Sequence, residues 1–114
     1  MVITTDKAIE IIEEFLTLVS SKGIKIERAV LFGSYARGMA TEWSDIDLAI
    51  TSSDFVGIPF HDRGMLTECK LKVDWRLQIF PYRPEEFTEE SLFAKEIIET
   101  GIEIKLPITE LCAK

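Results

Sequence analysis

At 114 residues and 46% hydrophobic content, the chain has material for one packed core but not for two. Its formal charge of −7 works against extended contact with a nucleic-acid backbone, because such binding depends on Lys and Arg displacing condensed counterions. No apolar run approaches the roughly 18 residues that span a bilayer, and the first residues lack the basic and apolar regions of a secretory signal. The expectation is a single cytoplasmic domain over residues 1–114, with no membrane association. Cys69 and Cys112 have no Cys or His neighbours at zinc-ligand spacing and read as free thiols.

From Thr5 to Lys22, apolar residues recur at helical spacing (Ala8, Ile9, Ile11, Ile12, Phe15, Leu16, Leu18, Val19), with Thr5 or Asp6 as the cap and Gly23 as the stop. Ile26 to Phe32 reads as a strand entering a tight turn at Gly33, and a brief helix is expected from Ser34. Asp45 to Thr51 alternates, with Ile46, Leu48 and Ile50 on one face and Asp45, Asp47 and Ala49 on the other. Residues 52–64 carry Ser52, Ser53, Gly57, Pro59 and Gly64 and read as a loop with at most a short helix after it. Lys70 to Ile79 alternates cleanly, with Leu71, Val73, Trp75, Leu77 and Ile79 opposite Lys70, Lys72, Asp74, Arg76 and Gln78, which predicts a third strand. Pro84-Glu85-Glu86 suits the first turn of a helix to about Thr100, stopped by Gly101, and Ile102 to Leu106 adds a short final strand. The order predicts an α/β or α+β domain.

The chemistry concentrates in two places. Phe32-Gly33-Ser34-Tyr35-Ala36-Arg37-Gly38 puts Gly and Ser where a strand gives way to a helix start, whose backbone N–H groups lack helical partners and suit a phosphate. Ser34 can add a hydroxyl, and Arg37 can pair with phosphate or with an acidic neighbour. Asp45 and Asp47 share one strand face, so their oxygens converge and repel unless a cation intervenes. Magnesium fits that need, being hard and commonly bound through one or two carboxylates plus substrate phosphates. A bare Gly-Ser turn or an isolated Asp-x-Asp is commonplace; the combination is what points to a site. Asp74, on the polar face of the expected third strand, is the candidate for a third carboxylate. Together these parts suit in-line nucleotidyl transfer with two metal ions on Asp45, Asp47 and Asp74.

Leu31-Phe32-Gly33-Ser34-Tyr35-Ala36-Arg37-Gly38 followed by Ser44-Asp45-Ile46-Asp47-Leu48 resembles the minimal nucleotidyltransferases of the DNA polymerase β-like superfamily, whose hallmark is Gly-Ser, ten intervening residues and Asp-x-Asp. The resemblance implies a palm with a small mixed sheet flanked by helices, ATP or another nucleoside triphosphate as donor, and divalent magnesium, with two ions expected. It assigns Gly33 and Ser34 to phosphate holding, Asp45 and Asp47 to metal binding, and Asp74 to the softer third position, with Glu68 in reserve. Phe93 to Leu106, including Gly101, is similar to the family's closing helix and edge strand. Relatives of this size commonly partner all-helical HEPN ribonuclease toxins, and some transfer AMP to a toxin tyrosine. The implied role is therefore an antitoxin that adenylylates its partner. The alternatives are a module that neutralises by binding alone and a palm subunit that modifies a small molecule; self-association stays open.

Other residues carry less. His61 is assigned no role, Trp75 is expected in the core, Trp43 is expected to pack in its loop, Tyr35 fits a ligand contact and a hydrophobic helix contact equally, and Glu85 to Glu90 reads as an acidic helix start.

Overall fold

The computed structural model describes residues 4–55 and 59–105, apart from the side chains of residues 59–63 and 65. Helix α1 (Thr5–Ser21) starts at Thr4, whose hydroxyl accepts from the Lys7 N–H at 3.0 Å. Its apolar stripe from Ala8 to Val19 is buried. Strand β1 (Arg28–Phe32) leads through Gly33 into the single-turn helix α2 (Ser34–Arg37), and strand β2 (Ile46–Thr51) follows. Helix α3 (Pro59–Val73) connects to strand β3 (Leu77–Tyr82), and a 3-10 turn at Pro84–Glu86 precedes helix α4 (Leu92–Thr100) and strand β4 (Ile102–Glu103).

The sheet has the order β3-β2-β1-β4. Strand β1 is antiparallel to both β2 and β4, whereas β2 and β3 are parallel. A parallel pair needs a crossover, and α3 supplies it. Alternation divides the strands between two cores. Ala29, Leu31, Ile46, Leu48, Ile50, Leu77 and Ile79 pack against α1 and α3, while Val30, Phe32 and Ala49 pack with Phe87 and with Ala94 and Ile97 of α4. The expected mixed α/β architecture holds, with helices on both faces of a small mixed sheet.

Three expectations about elements are corrected. The strand over Lys70–Ile79 is the end of α3, a turn at Asp74 to Arg76, and then β3. The same stretch also satisfies helical spacing, since Leu66 and Cys69 are buried and Val73 is partly buried at intervals of three and four. Helix prevails where the chain must cross between parallel strands, so Leu71 and Trp75 are exposed rather than core. The loop expected to reach residue 64 gives way to helix at Pro59, a residue whose missing N–H costs nothing in a first turn. The helix expected from Pro84 to Thr100 is interrupted: Phe87 turns inward against Tyr82, at 5.1 Å between ring centroids, and Ser91 starts α4 afresh by accepting from Ala94 N. Cys69 is a buried free thiol; Cys112, Leu106 and the side chain of His61 lie outside the described residues. Among the described residues no helix is long and apolar enough to cross a membrane.

Candidate functional site

Antiparallel register places Phe32 opposite Asp47, so the last residue of β1 delivers the chain directly beside that carboxylate. The next residue, Gly33, has φ 77° and ψ −148° and forms the N-terminal boundary of α2. A β-carbon there would collide with Asp47 Oδ2, so Gly is required both by the backbone and by the closeness of the carboxylate. The first turn is closed by Arg37 N donating to Gly33 O at 3.1 Å.

Asp45 immediately precedes β2, held by a self-locked turn. Thr41 N donates to Ser44 Oγ at 2.8 Å, Ser44 N to Thr41 O at 3.0 Å, and Trp43 N to Thr41 Oγ1 at 3.2 Å. Asp45 is exposed and Asp47 half-buried. Burial first, and the neighbouring Asp45 charge second, push the Asp47 carboxyl up to about 6. The pair is near enough to repel, which is the electrostatic condition a shared cation relieves.

A cleft of about 310 Å³ opens over this junction, lined by Phe32, Gly33, Ser34, Arg37 and Asp47 on the sheet side and by Phe93, Glu96 and Thr100 of α4 opposite. Phe32, Phe80 and Phe93 meet as an aromatic trio with centroids 5.2 to 6.0 Å apart, which seats α4 on the sheet. Gly101 lets the chain turn from α4 into β4, since a β-carbon there would strike Val30 and the Ile97 carbonyl. Arg37 Nη2 donates to Glu96 Oε2 at 3.2 Å.

Of the residues singled out from sequence, Gly33, Ser34, Arg37 and Asp47 line this cleft, and Asp45 adjoins Asp47. Asp74 is not among the residues that line it. It sits in the turn before β3, where Oδ1 accepts from Arg76 N at 2.9 Å and from Nε at 3.0 Å, and Oδ2 from Nη2 at 2.8 Å. Those bonds hold its carboxyl below the usual carboxylate range. The β3 residue in register with Asp47 is Gln78, an amide. Glu68 is exposed on α3 beside Lys72, with 3.8 Å between Oε2 and Nζ. Among the described residues no group of three or more His, Cys, Asp or Glu is arranged to hold a metal ion. What does suit a hard cation is the oxygen donor set of Asp45 and Asp47 together with the raised Asp47 carboxyl.

Sequence reasoning missed the α4 wall. Phe93, Glu96, Ile97 and Thr100 recur at intervals of three, one and three, a helical face carrying a carboxylate and a hydroxyl beside two apolar residues. That mixed face was the available signal.

Residues 10–106 match the family model described as "Nucleotidyltransferase domain". A Methanocaldococcus jannaschii protein named "putative protein adenylyltransferase" is 30% identical over 97 residues, covering 84% of this chain and 97% of that protein. A Sulfolobus solfataricus crystal structure described as a "putative nucleotidyltransferase" superposes with a TM-score of 0.62 at 18% identity, covering 87% of this chain and 80% of that one. The likeness in that case is one of fold.

Proposed function

The chain belongs to the nucleotidyltransferase domain family, and from that premise we propose that it is a magnesium-dependent cytoplasmic enzyme moving AMP from ATP to a tyrosine hydroxyl of an all-helical HEPN-type toxin, and so acts as its antitoxin. The carrying observation is that the Gly33 turn and Asp47, with Asp45 beside it, meet at one cleft. Support for a protein acceptor comes from the name of the archaeal relative.

In this reading the N–H groups of the first α2 turn and the Ser34 hydroxyl bind the triphosphate, and Arg37 pairs with a phosphate oxygen. Asp45 and Asp47 would hold magnesium, which when bound offsets charge on the phosphates and on the attacking and leaving oxygens. The acceptor oxygen forms a bond to the α-phosphorus as the bond from that phosphorus to the pyrophosphate bridging oxygen breaks, and the hydroxyl proton leaves to a base. Asp74 is the candidate for that base or for a third ligand, and Arg76 already takes three of its acceptor positions.

The test incubates the chain with α-phosphate-labelled ATP, magnesium and the toxin. Label should pass to the toxin, disappear on chelation, and fall about a hundredfold or more in Asp45→Asn or Asp47→Asn. No transfer with any triphosphate or divalent ion, together with no nucleotide binding, refutes the enzyme.

One observation favours a second reading, neutralisation by binding alone: the sheet position beside Asp47 carries Gln78 rather than a carboxylate. Neutralisation that persists in the Asp45→Asn, Asp47→Asn double variant supports it.

A further inference from the structure

The cleft that receives the triphosphate under the proposed function has an unusual charge balance. Among the described residues its lining contains one basic side chain, Arg37, against two carboxylates, Asp47 and Glu96. Asp45 adds a third negative charge close by. The guanidinium is already engaged, because Arg37 Nη2 lies 3.2 Å from Glu96 Oε2 on the opposite wall. Both partners are at least half exposed, at 50% and 62%, so the bond is a weak one in contact with water. A phosphate oxygen offers the same guanidinium a stronger, charge-assisted partner.

We propose that Glu96 sets the nucleotide affinity of the cleft and its dependence on divalent cation, by occupying Arg37 until a phosphate replaces it. The inference rests on the nucleotide-transfer reading and extends it to a residue on α4. A free triphosphate meets Arg37 already committed and, among the described residues, remaining charges that repel it. A magnesium-complexed triphosphate carries less charge, so it loses less attraction than the free one when Glu96 neutralises Arg37. Glu96 thus favours the complexed nucleotide over the free one.

Calorimetric titration with a non-hydrolysable ATP analogue, in magnesium and in EDTA, tests this on four proteins: wild type, Glu96→Gln, Arg37→Gln and the double variant. Glu99→Gln is the control, since it removes one negative charge from an exposed position of the same helix outside the cleft lining. Glu96→Gln should tighten the analogue about fivefold in EDTA and less in magnesium. Most of that gain should vanish in the Arg37→Gln background, because Glu96 acts through Arg37. Equal affinity of Glu96→Gln and wild type, an equal gain from Glu99→Gln, or a gain that survives intact without Arg37 overturns the proposal. Absence of analogue binding by every protein in both buffers rejects the nucleotide-transfer reading itself, and the role of Glu96 with it.

Discussion

Asp47 is where the demands of folding and of the site oppose each other. Its carboxylate lies against Gly33 and beside Asp45, and burial and repulsion raise its pKa from 3.8 to about 6. A raised acid binds its proton more tightly in the folded state, so between about pH 4 and 6 the folded chain holds more protons than the unfolded one. Asp47's contribution to stability therefore falls as pH rises through that window and stays at its minimum above it. In chelator, Asp47→Asn should melt at a higher temperature than wild type at pH 7.5, with the gap closing toward pH 4. A variant that melts lower at pH 7.5 contradicts this account. Magnesium should narrow the gap from the wild-type side, by stabilising the ionised carboxylate.

At the scale of elements, the sequence is readable wherever one period dominates. Helix α1 and strands β1 and β2 were legible because Ile12 and Phe15, or Ile46 and Leu48, leave no competing pattern, and β2 carries Asp47 with it. The α3–β3 region was not. Leu66, Cys69 and Val73 keep helical time while Leu71, Val73 and Trp75 keep strand time, and only the parallel pairing of β2 with β3 decides between them. That error displaced Asp74 from a sheet face to a turn, where Arg76 grips it, and left Gln78 at the register position that matters. The α4 wall escaped notice because Glu96 comes from a distant part of the chain, and no spacing rule joins it to Arg37. The Asp74–Arg76 pair is 14% and 22% exposed, enough shelter to contribute to stability. Asp74→Asn should cost about 1–2 kcal/mol at pH 7 by urea denaturation. Because the pair lowers the folded-state carboxyl, this cost should shrink as pH falls below the ordinary aspartate range. If the variant also loses label transfer while binding nucleotide normally, Asp74 has a part in the chemistry beyond holding its turn.

For the whole molecule, the order of elements predicts an α/β or α+β fold, and the structure answers with a sheet sandwiched between α1 and α3 on one side and α4 on the other. Long-range pairing distributes the site over β1, α2, β2 and α4, and the cleft exists only once the two cores have formed. The aromatic residues divide in the same way: Phe15 and Phe55 lie inside, while both tryptophans remain outside, Trp43 at 86% and Trp75 at 73% exposure. Intrinsic fluorescence consequently comes from indoles already surrounded by water in the native protein. Emission should stay near that of the free amino acid and shift little on denaturation, so circular dichroism is the better monitor of melting. The same exposure gives a sensitive reporter, because a blue shift on mixing with the tryptophan-free form of a proposed partner would mean that one of those rings had become covered, and Trp43→Phe would tell whether it is the one next to Ser44.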